Sequence, residues 1–314
     1  MGADSVVTDY DPLFFRPCVF PILGDLGYGT SITFNNALVG STFSTNLDVS
    51  ITFLDENGTV LGVADNLGSL APGEVRKLDT RDLVKELGIT PKGNMLGVVH
   101  LVPERFRGQK LVDVDRGELM AHVSSSDDFI EFRQEPKGII TGVAYQMGPQ
   151  NDSRFNKTRT TLLQAPKAIV SDTVDTLFAL MNVSTTFDYH DTATMEFWLL
   201  DPTGTKVARG SVDVPPWTVR FISVRELLID NGLLESFIAE GGLGMVLGLC
   251  RNAGLVPVSM TRNLVSGAIA CDHTLPPMYY FTTWGGQKRI DTNTALHEAF
   301  FQDAPEGALA DVTA

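Results

Sequence analysis

The sequence predicts a mainly β protein: two tandem, duplicated Ig-like β-sandwich domains, each with one short helix. Three observations carry this expectation. Residues 31–59 align without a gap with residues 177–205, an offset of 146. Short apolar segments recur between Gly, Pro and Asn turns, the pattern of a sandwich. The 314-residue length holds two domains, each large enough to bury a core.

The alignment pairs Asn36 with Asn182, Phe43 with Tyr189, Leu54-Asp55 with Leu200-Asp201, and Gly58-Thr59 with Gly204-Thr205. The offset then falls to 144. There Val75-Arg76 meets Val219-Arg220, Leu78 meets Ile222, Arg81 meets Arg225, Asp82-Leu83 meets Glu226-Leu227, and Gly88 meets Gly232. Leu96-Gly97 and Leu243-Gly244 match at an offset of 147. The expected division is a first copy over 12–148 with an insertion at about 105–132, a linker over 149–160, a second copy over 161–284, and an extension over 285–314.

Each copy begins with a strand–turn–strand. In Ser50–Val63 the dipeptide Asn57-Gly58 supplies the positive φ of a tight hairpin. Its counterpart is Glu196–Ala208, with Pro202 suited to the first central turn position. A Pro72-Gly73 or Pro215-Pro216 turn leads into a strand ending at Leu78 or Ile222. The helix follows. Over Thr80–Gly88 a Thr80 hydroxyl is expected to cap it and Gly88 to end it, and Ser223 to Glu226 reads as a capping box. The closing strands are expected at 95–101 and 138–145, then at 244–249, 256–262 and 266–270.

The second copy, through Leu200-Asp-Pro-Thr-Gly204, Val219-Arg-Phe-Ile-Ser-Val-Arg225 and Gly254-Leu-Val-Pro-Val-Ser-Met-Thr-Arg262, resembles the small β-sandwich of the sensory-rhodopsin-transducer family. The first copy has no Val-Pro-Val-x-x-Thr-Arg segment. The resemblance implies a ligand- or protein-binding module without catalytic machinery, and it carries over no site residue.

Composition narrows the partners. The 24 Lys+Arg stand against 38 Asp+Glu, a net charge of −14, which repels a phosphate backbone and argues against nucleic acid. No apolar run reaches 18 residues, so no membrane span is expected. The N-terminus shows no signal-peptide pattern, so the expectation is a soluble chain, cytoplasmic, or periplasmic or secreted if a signal was removed. Cys18, Cys250 and Cys271 lack the spacing of a zinc knuckle and read as buried apolar residues.

No linear motif for a nucleophile elbow, zincin, phosphate loop or EF-hand is present. The turns at Asp55 and Asp201 offer too few carboxylates for calcium. No cofactor and no metal are expected. His190 with Asp188 and Asp191 is the nearest approach to a metal or pH-sensitive group. Asp272-His273 closes a strand, where neighbouring side chains point to opposite faces and make a poor dyad. The aromatic run Met278–Trp284 places Tyr280 and Trp284 on one strand face, a stacking platform for a sugar or flat apolar ligand. Tyr280, Trp284, Arg262 and His273 are therefore the expected ligand-binding residues.

The functional expectation is a non-catalytic protein that binds a small ligand, sugar or apolar, or a protein partner, or else an assembly protein whose edge strands join copies into a homo-oligomer. The alternative is an enzyme with its site between the sandwiches, assembled from His122, His190, His273, Asp188 and Asp191. Convergence in space leaves no linear motif, so the sequence leaves both open.

Overall fold

A computed structural model of the chain describes residues 18–36, 46–65, 67–90, 93–104, 128–135, 137–146, 161–184 and 189–273. They form four antiparallel sheets. The first unit holds β1 (Cys18–Ile22), β2 (Tyr28–Asn35), β3 (Leu47–Leu54), β4 (Val60–Ala64), β5 (Ser69–Leu70) and β6 (Val75–Asp79). Helix α1 (Thr80–Glu86), then β7 (Met95–Pro103), β8 (Asp128–Gln134) and β9 (Ile139–Gln146) complete it. The second unit holds β10 (Thr161–Ile169), β11 (Val174–Asn182), β12 (Ala193–Leu200), β13 (Lys206–Val214) and β14 (Thr218–Ser223). Helices α2 (Val224–Asp230) and α3 (Leu234–Ala239), then β15 (Leu243–Cys250), β16 (Val256–Asn263) and β17 (Ile269–His273) follow.

The strand orders repeat. The first unit pairs sheet β1-β7-β3-β4, with β5 added on β3, with sheet β6-β2-β8-β9. The second pairs β10-β15-β12-β13 with β14-β11-β16-β17. Element for element the two orders are the same, apart from β5.

Local chemistry explains the turns. The Asp55 carboxylate accepts from the amides of Asn57 and Thr59, both at 2.8 Å. Asp201 does the same for Thr203 and Thr205 at 2.8 and 2.9 Å. Both carboxylates are thus spent on backbone amides, and Gly58 and Gly204 supply φ of 79° and 86°.

Four details depart from the sequence reading. Asp79, not Thr80, caps α1, its carboxylate accepting from the Arg81 amide at 3.0 Å. A carboxylate serves a cap better there because Thr80 is turned inward and donates to the Thr30 carbonyl at 2.7 Å. Strand β8 lies partly inside the expected insertion and forms the third strand of its sheet. The last strand begins at Ile269, because Asn263 first folds a turn, its side chain accepting from the amides of Val265 and Ser266. The second unit carries a second short helix, α3.

The β6-β2-β8-β9 and β14-β11-β16-β17 sheets meet at their edge strands β9 and β17. β1 runs against β11 and β7 against β14, so the β7 sheet lies between its own partner sheet and the β11 sheet. This is why Met95–Leu101 is buried at every residue rather than at alternate ones. Along β11, Phe178 and Leu180 enter the second unit's core, while Leu177, Ala179 and Met181 join the first unit's. The turn at Gly58 abuts Pro216 and Trp217, and Arg220 donates to the Glu56 carbonyl at 2.9 Å.

Candidate functional site

The connection between β1 and β2, the first turn of α1 and the start of β7 leave a cleft of about 220 Å³ at one end of the first unit. Ile22, Val84 and Met95 supply apolar wall, and Thr30, Arg81 and Glu135 supply the polar groups. These residues come from β1, β2, α1, β7 and the end of β8, so the sandwich must fold before the cleft exists.

Register sets the direction of each side chain. Thr30 lies opposite Phe132, which is fully buried, so both face the interior. Thr30 is only 1% exposed, and its hydroxyl has no hydrogen-bond partner. A buried hydroxyl without a partner costs free energy.

Arg81 stands at the mouth. Its guanidinium donates to Asp79 at 3.0 and 2.6 Å and is also ion-paired with Glu135. The bond from Arg81 holds the Asp79 carboxyl below its ordinary range, and the pairing raises the Arg81 pKa, so the site stays ionised at neutral pH. Arg133 reaches Asp79 at 3.3 Å. Gly29 lies under this network: a methyl group there would sit 2.7 Å from the Glu135 carboxylate and 3.3 Å from Arg81 Cδ. At the opposite side of the cleft, Glu56 and Asp25 converge on Gly93, with carboxylate oxygens 2.7 and 3.7 Å from where a Cβ would stand.

The second unit fills its corresponding end. Phe237 of α3 is buried in one cluster with Val170 and Leu228, the counterparts of Ile22 and Val84. The Gly242 amide donates to the Phe237 carbonyl at 2.9 Å. Arg225, the counterpart of Arg81, reaches across to the Ser171 carbonyl at 2.5 Å. Asp175 stands where the first unit has Gly29 and accepts from the Ser223 hydroxyl at 2.8 Å and the Arg225 amide at 3.0 Å. Burial nevertheless leaves the Asp175 pKa raised. The counterpart of Thr30 is Thr176, whose hydroxyl is satisfied by the backbone of Ile169 at 2.8 and 3.0 Å.

Of the residues expected from the sequence, Arg262 touches this region. Its guanidinium lies 6.0 Å from the ring centre of Tyr28, a cleft residue whose hydroxyl donates to the Gly267 carbonyl at 2.8 Å. Burial raises the Tyr28 pKa against the opposing effect of Arg262. His273 closes β17, opposite Val258. His190 and Asp191 are exposed on the loop before β12. Tyr280, Trp284, His122 and Asp188 lie outside the described residues. Among the described residues, no three His, Cys, Asp or Glu side chains converge as metal ligands, and no helix is long and apolar enough to cross a membrane. The three cysteines form no disulfide, and burial pushes the Cys250 and Cys271 thiols up to about 11 and about 12.

In the sequence Arg81 is marked only by its alignment with Arg225 and Val84 only as an apolar helix position, and nothing there marks Thr30 or Glu135. One signal for the cleft was present. Between Gly88 and Leu96 the offset grows from 144 to 147, so the second copy has extra chain where α3 forms.

No protein-family model matches the chain, and no curated protein matches it. Among solved structures it is similar to a glycosyl hydrolase family 2 member from Bacteroides cellulosilyticus DSM 14838, at 10% identity and a TM-score of 0.18, over 81% of this chain and 27% of that one. A Bacteroides uniformis beta-glucuronidase shows 10% identity and a TM-score of 0.15, over 82% of this chain and 25% of that one. The chain thus spans about a quarter of the length of these structures, and at such TM-scores the likeness carries no argument about what it does.

Proposed function

We propose that the protein is a non-catalytic binding protein that takes one small ligand with an apolar body into the cleft of its first unit. One observation carries the reading: an apolar-walled cleft opens at the end of the first unit, whereas Phe237 of α3 packs with Val170 and Leu228 at the corresponding end of the second. A cleft of about 220 Å³ is below the size that holds a drug-sized molecule, so the ligand is small. In the same reading, 12–148 and 161–284 are two copies of one domain, the second serving as scaffold. The resemblance to the sensory-rhodopsin-transducer sandwich is kept as the proposed family.

The test is titration calorimetry with small aromatic and aliphatic compounds against the wild type and Val84→Trp, which fills the cleft from α1. Saturable binding that Val84→Trp abolishes, with an unchanged circular dichroism spectrum, supports the reading. Binding that survives the substitution places the ligand elsewhere.

A further inference from the structure

We infer that the C-terminal segment, residues 274–314, folds back over the outer face of the β10-β15-β12-β13 sheet and caps it. Along β12, Met195, Phe197 and Leu199 turn into the second unit's core. Glu196, Trp198 and Leu200 therefore point the other way, and register places Leu249, Leu247 and Met245 of β15 opposite them on that outer face. The core side of the sheet is filled by Phe178 and Leu180 of β11, Ile222 of β14 and Leu228 of α2. Yet Leu249 is 2% exposed and Leu200 5%, and neither joins either unit's core. The Trp198 ring nitrogen is buried without a hydrogen-bond partner, and the Glu196 side chain is 12% exposed. A face left to solvent would show these groups to water. Because they are buried within a single chain, the cover belongs to this chain and not to a second copy.

Place, composition and the repeat point to residues 274–314. His273, the last residue of β17, lies opposite Val258, and the nearby Leu255 amide donates at 2.6 Å to the hydroxyl of Thr161, which pairs with Cys250. The chain thus leaves β17 beside the Cys250 end of β15. Burial is graded in the same direction: Leu249 at this end is closed off, while Leu243 at the other is 46% exposed. The segment carries the aromatic run 278–284 and then 292–301, where Ala295, Leu296, Ala299 and Phe300 share one side of a helix. A helix over 292–301 is about 15 Å long, the width of about three strands. The linker 149–160 also arrives at Thr161, but Phe155 is its one large apolar residue. Residues 105–127 connect β7 to β8, both in the first unit. In that unit Leu54, the counterpart of Leu200, is buried in one cluster with Met181 and Val258 of the second unit. The second unit has no third copy to play that part, and the last unit of a repeat needs a cap.

The experiment places a thiol on the covered face of the full chain with Leu247→Cys, a half-buried position. The rate of its labelling by iodoacetamide is read by peptide mass spectrometry, which separates it from Cys18, Cys250 and Cys271. Adding Leu296→Asp and Phe300→Asp is expected to speed that labelling by about tenfold or more, since the cover then opens locally. Cys18, in the first unit's core, is expected to stay protected. Phe155→Asp and Leu119→Asp, in the two other segments, are expected to leave the rate unchanged. Where the charged variants expose Cys18 as well, a photo-crosslinker decides: Phe300→p-benzoylphenylalanine is expected to crosslink to β12 or β15 within one chain. A rate unmoved by the double variant with Cys18 protected, or a crosslink from position 300 to any other element, overturns the assignment. A rate moved instead by Phe155→Asp or Leu119→Asp overturns it in favour of that segment, and crosslinks between chains overturn it in favour of a second copy.

Discussion

His100 shows how much one buried residue dictates. It is fully buried on β7, and its Nε2 lies 3.0 Å from the Thr52 hydroxyl. Burial pushes its pKa down to about 3, so the folded protein holds a neutral imidazole. In the unfolded chain a histidine takes up its proton near pH 6.5. Between those values the unfolded state binds a proton that the folded state refuses, so stability falls as pH drops below about 6.5 and is insensitive to this group above it. Urea denaturation at about pH 7.5 and about pH 5 measures this. His100→Gln is expected to remove a loss on the order of 2 kcal/mol at the lower pH. Thr30 gives the opposite kind of residue. Thr30→Val removes the unpartnered hydroxyl while keeping the shape. It is expected to raise the melting temperature by about 2–4 °C. A lowered melting temperature would show that the hydroxyl is satisfied in the folded protein.

At the scale of elements, the two β-hairpins make a controlled comparison. Gly58 and Gly204 have the same left-handed conformation in the same Asp-capped turn. A Cβ on Gly204 meets nothing within 4 Å, but one on Gly58 would stand 2.6 Å from the Pro216 carbonyl. Gly204→Ala is expected to cost about 1 kcal/mol, the backbone term alone. Gly58→Ala adds a collision between the two units and is expected to cost at least about 2 kcal/mol, read as a lower urea midpoint. Equal costs would mean that the Gly58 turn yields freely. These hairpins were legible in the sequence because Asn57-Gly58 and Pro202-Thr203-Gly204 encode them within a few residues. Strand β8 was less so: it forms a hairpin with β9, but its place inside the sheet depends on pairing with β2, about a hundred positions away. The α1 cap was misassigned because Asp79 and Thr80 are both good caps, and only the contact of Thr80 with Thr30 separates them.

At the scale of the whole molecule, burial joins the two units. The first unit's core continues into Leu177, Met181, Trp217, Val219, Val258 and Met260 of the second unit. Trp217 is seated there with φ 63°, its ring nitrogen donating to the Tyr189 carbonyl at 3.1 Å. The whole chain is therefore expected to unfold in a single calorimetric transition. A fragment beginning at residue 161 exposes that face and is expected to aggregate. Two separate transitions, with a monodisperse fragment, would show that the units are energetically independent. The candidate site stayed out of reach of the sequence for the same reason. Thr30, Arg81 and Glu135 carry no shared motif, and the cleft lies where the first unit shows, among the described residues, no counterpart of the helix that fills the second.

That the first unit's cleft is unfilled among the described residues is the central claim, and a crystal structure of the protein soaked in 2-phenylethanol tests it most directly. The account predicts density for one molecule between Ile22, Val84 and Met95, and none beside Phe237. An empty cleft with density for the compound elsewhere on the chain would contradict it.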